Sequence, residues 1–158
     1  MDISIIIFLL GGLFLGWSLG ANDAANVFGT AVGTRMVRFK TAAIVCSIFV
    51  ILGAIISGSG TTETLGKLGA INALPGAFAA CVAAGLSVYL MTKAGLPVST
   101  TQAIVGAIVG WNLYTGSDTN IRVLITILGT WVLCPVIAGV IAMGFFTITK
   151  KYLLRRKL

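Results

Sequence analysis

The stretch Gly20-Ala21-Asn22-Asp23-Ala24-Ala25-Asn26-Val27-Phe28-Gly29-Thr30-Ala31-Val32-Gly33 places a carboxylate and two amides among small residues at the end of an apolar run. An acid at the centre of a membrane segment costs roughly 2.5–3.5 kcal/mol on insertion scales, so Asp23 needs compensation. A bound cation is the simplest form of it. Hard cations take oxygen ligands. The Asp23 carboxylate, the Asn22 and Asn26 amide oxygens and freed backbone carbonyls could supply them to sodium. Asn22 and Asn26 are four apart and share one face of a helix. Ala21, Ala24, Ala25 and Gly29 leave room for an ion and a facing helix. The plainer reading is that Asp23 caps a broken helix and the asparagines bond across helices. Because an intramembrane acid is a functional hypothesis by default, Asn22, Asp23 and Asn26 are candidate cation ligands, with Asp23 and Asn26 the foremost for sodium.

A second polar stretch, Pro97-Val98-Ser99-Thr100-Thr101-Gln102, complements the first. Proline suits the first turn of a helix. Ser99, Thr100 and Thr101 would then stand at a helix N-terminus, where free N–H groups and the positive end of the dipole attract anions. Their hydroxyls can donate to the oxygens of a small oxyanion, phosphate first among them, without a fixed positive charge. Ordinary N-capping by Ser99 and backbone bonding by Thr100 and Thr101 is the alternative. With the first stretch in the same chain, the pair reads as an ion-coupled oxyanion site: Ser99, Thr100, Thr101, Asn22 and Asp23 toward the substrate, and Asn22, Asp23 and Asn26 toward the cation. Anion and cation would each lower the other's burial cost.

The elements that position these residues are membrane segments. The 158 residues are 58% hydrophobic and 9% charged, against about 25% charged in a soluble domain. At about 20 residues per crossing the composition predicts an all-α integral membrane protein, one transmembrane domain over 1–158 with about five membrane-spanning or broken helices. The apolar runs are Ile3–Leu19, Thr41–Ser57, Ile71–Thr92, Val98–Leu113 and Ile121–Thr149. A discontinuous helix is expected over Gly20–Gly33, since helix-breaking backbone at membrane depth must be buried in protein or line a wet cavity. Gly58–Gly69 reads as a loop, and Gly12 and Gly16 as small residues that let helices approach. Pro135 is placed to kink the last run.

The net charge of +7 does not point to nucleic acid. The basic residues stand at the ends of apolar runs and in a cytoplasmic tail over 150–158 (Lys150, Lys151, Arg155, Arg156, Lys157), which suits anionic lipid. With Arg35, Arg38, Lys40, Lys93 and the tail inside, and Lys67 and Arg122 outside, the chain starts outside, ends in the cytoplasm and crosses five times. A re-entrant dip over Val98–Leu113 would put the tail outside unless a preceding hairpin compensated. Cys46, Cys81 and Cys134 lie in apolar runs and there is no histidine, so no zinc ligand set exists and the cysteines read as apolar filling. Ile3–Leu19 lacks the basic flank of a signal peptide. No cofactor is implied. An enzyme is excluded because Ser99 has no histidine or lysine partner in its segment, and broken helices with paired anion and cation chemistry suit alternating access better than a channel.

An odd number of crossings means that a second copy in tandem would insert inverted, as in many secondary transporters. The Gly20–Gly33 stretch resembles the signature G-A-N-D-x-A-N-x-x-G-T-x-V-G of the inorganic phosphate transporter family, the Pit-type sodium- or proton-coupled carriers. Pro97-Val98-Ser99-Thr100-Thr101-Gln102-Ala103-Ile104-Val105-Gly106 is similar to that family's P-V-S-T-T-H-A-I-V-G. The resemblance covers essentially the whole chain. It implies one half of an inverted-repeat plasma-membrane transporter, with Asn22, Asp23 and Asn26 coordinating sodium and closing the substrate site, and Ser99, Thr100 and Thr101 contacting phosphate. Gln102 replaces the frequent histidine, which favours sodium over proton and leaves Asp23 as the proton-carrying alternative. One copy of each motif makes the chain a separately encoded half, a truncated product or a subunit that must pair in an oligomer; the bias of basic residues to one side opposes an antiparallel homodimer and favours a second half-transporter chain of opposite orientation. A sulfate or other oxyanion permease, and a non-transporting subunit of a larger transporter, are the alternatives.

Overall fold

The computed structural model describes residues 3–69 and 74–154. The start of the third apolar run and tail residues Arg155, Arg156 and Lys157 lie outside the described residues. The described residues are mostly helical: α1 Ile3–Gly33, α2 Phe39–Leu68, α3 Leu74–Lys93, α4 Thr100–Thr115 and α5 Ile121–Thr149, followed by a π-helical turn over Lys150–Leu154. α1, α2, α3 and α5 are long and apolar enough to cross a membrane. α4 has 16 residues, about 24 Å at 1.5 Å per residue.

Contacts cluster into two units, Met1–Asn120 and Ile121–Leu158. In the first, α1 packs along α3 in the same direction. Phe8 meets Phe78 edge-on at 5.8 Å, Trp17 meets Tyr89 at 5.6 Å, and Asn22 meets Thr92. Two glycines allow this approach. A Cβ on Gly11 would stand 2.8 Å from a Phe78 ring carbon, and one on Gly85 would stand 2.8 Å from Phe14 and 3.3 Å from the Leu15 Cα. α4 returns antiparallel to α3 and lays Trp111 against Gly76. Ala80, Ala84, Val88, Val105 and Ile108 form the buried centre.

α3 and α4 are therefore a hairpin whose base and tip are both fastened. At the base, fully buried Asn112 donates to Thr119 Oγ1 at 3.0 Å and sits against Gly69, where a Cβ would collide with its amide. Asn120 N donates to Leu68 O at 2.9 Å, and Gly69 bridges to Thr119. Gly116, at φ 69°, ends α4 in the left-handed conformation and donates to Asn112 O, a geometry open to glycine without a Cβ penalty. The tip, 94–99, reaches α1 at Asn22 and Asp23, about ten residues or ~15 Å short of the end of α1.

Three expectations are corrected. α1 is one unbroken helix through Gly20–Gly33. Its asparagine and aspartate reach sideways to the hairpin, so no backbone has to open to satisfy them. Gly58–Leu68 is helix rather than loop. Thr62 and Thr64 return their hydroxyls to Gly58 O and Gly60 O, and Glu63 pairs with Lys67 one turn on, so the polar groups are satisfied within the helix itself. A Cβ on Gly12 or Gly16 would meet nothing within 4 Å; the close approaches between helices fall on Gly11, Gly76 and Gly85. In the second unit α5 keeps the bounds of its apolar run, with Pro135 inside it.

Candidate functional site

The site forms where the tip of the α3–α4 hairpin meets the polar stretch of α1. α3 ends at Lys93 because Gly95, at φ 73°, turns the chain. Leu96, Pro97 and Val98 then run without regular structure to Ser99. Pro97 lies two residues before the cap, not in the first turn of α4 as its sequence position suggested. Ser99 is the N-cap, and its Oγ accepts from Gln102 N at 3.4 Å.

This extended approach exposes the Val98 carbonyl to α1. Asn22 is only 3% exposed. Its Nδ2 donates to Val98 O at 2.7 Å and to Asp23 Oδ1 at 2.7 Å, while its Oδ1 accepts from Thr92 Oγ1 at 3.3 Å. Asp23 is half-buried, and its Oδ1 also accepts from Thr100 Oγ1 at 3.3 Å. Thr100 itself is 4% exposed. The two motifs, 76 residues apart at Asn22 and Val98, thus meet through direct hydrogen bonds. Donors from the protein meet one carboxylate oxygen of Asp23 and lower the cost of burying the charge.

The remaining sequence candidates fall around this centre. Asn26 is exposed, and it lines a cleft of about 340 Å³ with Asn22, Ala25, Thr92, Gly95, Leu96 and Pro97. Ser99, Thr101 and Gln102 are exposed on the first turn of α4. Ser99 spends its oxygen as a cap, the plainer of its two sequence readings. The helix N-terminus remains a source of N–H donors for an anion, and Thr100 belongs to the Asp23 network. The oxygens gathered here (carboxylate, amide, hydroxyl and carbonyl) are of the type a hard cation takes. Among the described residues no cluster of three His, Cys, Asp or Glu side chains exists, so a cation here would rely on neutral oxygens around one acid.

Two participants were not singled out from sequence. Thr92 carried only a faint signal, a hydroxyl just before the Gly95–Pro97 break. Val98 contributes its backbone, which no side-chain pattern reveals. Ser18, one turn below Asn22, is 1% exposed and its Oγ has no partner.

Long apolar helices, with a polar junction between the unbroken first helix and a hairpin tip, define a multi-pass membrane protein. Residues 19–158 match the phosphate transporter family, and the chain belongs to that family of permeases, not to an enzyme family. It is 34% identical, over 99% of its length, to a protein assigned as a phosphate permease in Thermococcus kodakarensis, covering 41% of that protein. It is 33% identical, over 91% of its length, to a sodium-dependent phosphate transporter of Plasmodium falciparum, covering 23% of it. A solved structure of the sodium-dependent phosphate transporter superposes with a TM-score of 0.86 at 32% identity, covering 98% of this chain and 41% of the other. The chain thus spans about two fifths of the archaeal relative and of the solved transporter.

Proposed function

We propose that this chain is one half of a secondary transporter that moves inorganic phosphate across the plasma membrane, coupled to sodium. The observation that carries the reading is the junction itself: Asn22 and Asp23 of the first motif bond to Val98 and Thr100 of the second. Sodium would engage the Asp23 carboxylate with the Asn22 and Asn26 oxygens. Phosphate would lie against the N-terminus of α4, within reach of Ser99, Thr100 and Thr101. The cleft beside Asn26 gives both a way in. The names of the relatives support phosphate as substrate and sodium as coupling ion.

The site is completed by a second half of opposite orientation. These residues span 41% of the solved transporter and hold one copy of each motif, so they supply one half of the ligands. For the topology, the N-terminus is outside and the tail over 150–158 is cytoplasmic. The α3–α4 hairpin returns the chain to the side it left, so it adds no net crossing whether it spans the bilayer or re-enters it. That leaves α1, α2 and α5 to set the parity, with Arg35, Arg38, Lys40 and the tail on the cytoplasmic side.

The test is uptake of labelled phosphate into vesicles containing this chain and its second half, with and without sodium and with sulfate as competitor. Sodium-dependent uptake that excess sulfate leaves intact, and that Asp23→Asn abolishes without loss of assembled protein, is expected. Uptake unchanged in Asp23→Asn would remove the role given to that carboxylate, and sulfate competing on equal terms would make the chain a general oxyanion carrier. Co-purification with a larger transporter that needs no Asp23 would identify a non-transporting subunit.

A further inference from the structure

We infer that Thr92 is a positioning residue of the transport site: it fixes the Asn22 amide and links the orientation of that amide to the end of α3. The inference rests on the proposed sodium-coupled transport, but its first observation is independent of it. Helical serines and threonines usually return their hydroxyl to the carbonyl one turn back. In this chain Ser47, Thr62, Thr64, Ser87, Thr115, Thr126, Thr130 and Thr147 all do so. Thr92 instead reaches across to α1 and donates to Asn22 Oδ1 at 3.3 Å.

The chemistry at Asn22 leaves that hydroxyl one role. Both contacts of Asn22 Nδ2, Val98 O and the Asp23 carboxylate, are acceptors, so the NH2 group must face them and Oδ1 must face Thr92. Thr92 must then be the donor. With Asn22 3% exposed, water cannot readily replace that donor, and an unpaired buried carbonyl oxygen is costly. Thr92 also lines the cleft with Asn22 and Asn26 and stands two residues from the end of the α3 helix hydrogen bonding at Ala94. A shift of the hairpin tip that moves Thr92 therefore moves the hydrogen bond that holds the Asn22 amide with its NH2 group toward Asp23 and Val98.

Two measurements on the chain with its second half test this. In lipid nanodiscs containing ¹⁵N-asparagine-labelled protein, the Asn22 side-chain NH2 resonance is identified by its loss in Asn22→Ser. Thr92→Val, which keeps shape and removes the donor, should shift this resonance and speed its exchange with water. Thr92→Ser, which restores the donor, should return it to the wild-type position. In vesicles, Thr92→Val should raise the half-saturating sodium concentration about threefold to tenfold, the worth of one hydrogen bond, with a smaller change in maximal rate. Thr92→Ser should stay near wild type. An Asn22 resonance unchanged in Thr92→Val, or Thr92→Ser as impaired as Thr92→Val, overturns the inference. Wild-type vesicles without sodium-dependent uptake would instead overturn the transport reading, while the resonance still decides the role of Thr92.

Discussion

Replacing Asn22 with alanine isolates the junction between the two motifs. The substitution removes one donor group that serves two acceptors, Val98 O and Asp23 Oδ1, each at 2.7 Å, and the oxygen that accepts from Thr92 Oγ1 at 3.3 Å. A neutral hydrogen bond contributes about 0.5–1.5 kcal/mol and one to a charged group about 1.5–3 kcal/mol, so losing two of the first kind and one of the second costs ~2.5–6 kcal/mol. Alanine is the better helix former by up to about 0.7 kcal/mol, which leaves a net cost of ~2–5.5 kcal/mol. That is a large share of the roughly 5–15 kcal/mol that holds an ordinary domain together. The assay is unfolding of the purified protein by SDS in mixed micelles, followed by tryptophan fluorescence and circular dichroism. Repeating it in an Asp23→Ala background divides the effect. There Asn22→Ala should cost about 1.5–3 kcal/mol less, because only the neutral bonds to the Val98 carbonyl and from Thr92 are left to lose. A cost below about 1 kcal/mol in the parent, or the same cost in both backgrounds to within the roughly 0.5 kcal/mol expected of additive sites, would refute the assignment of Asn22 as the bridge.

Two further outcomes follow from the contacts between helices. Gly85→Ala should destabilise the protein by about 1–3 kcal/mol, the usual cost of overpacking, because the new Cβ meets Phe14 at 2.8 Å and the Leu15 backbone at 3.3 Å; Gly12→Ala, with open space around it, should not, and equal SDS midpoints for the two variants would contradict the α1–α3 register. Ser18→Ala removes a buried hydroxyl that has no partner, so it should leave stability unchanged or raise it by up to about 1 kcal/mol, and a thermal midpoint lowered by several degrees would show that the hydroxyl is engaged after all.

The apolar runs located the long helices because lipid-length hydrophobic stretches leave few alternatives. α5 carries the same bounds in the sequence reading and in the structure. The pairing of the two motifs was also legible, since polar residues at the ends of apolar runs need one another. What escaped was set by tertiary contact. Gly11 and Gly12 are equally good small residues, and which of them faces α3 depends on Phe78, a residue 67 positions away by the difference of their numbers. Gly58–Leu68 has the composition of a loop, yet its threonines and its Glu63–Lys67 pair satisfy themselves on a helix. The continuity of α1 was hidden for a related reason: Asn22 and Asp23 look like helix breakers until Val98, Thr92 and Thr100 are brought to them. The contribution of Val98 is a carbonyl, identical in every residue type, and only the extended backbone after Pro97 makes it available.

The hairpin, clamped at Asn112 and resting on α1 at its tip, is mechanically a propped beam. Its arm, α4, is about 24 Å long, so a tilt of roughly two degrees at the root moves the tip by ~1 Å. A displacement of that size stretches a 2.7 Å contact such as Asn22–Val98 beyond useful hydrogen-bonding range. The integrity of the polar junction is thus leveraged from the far end of the helix, where Gly69, Thr119 and Asn112 act as the mounting bracket.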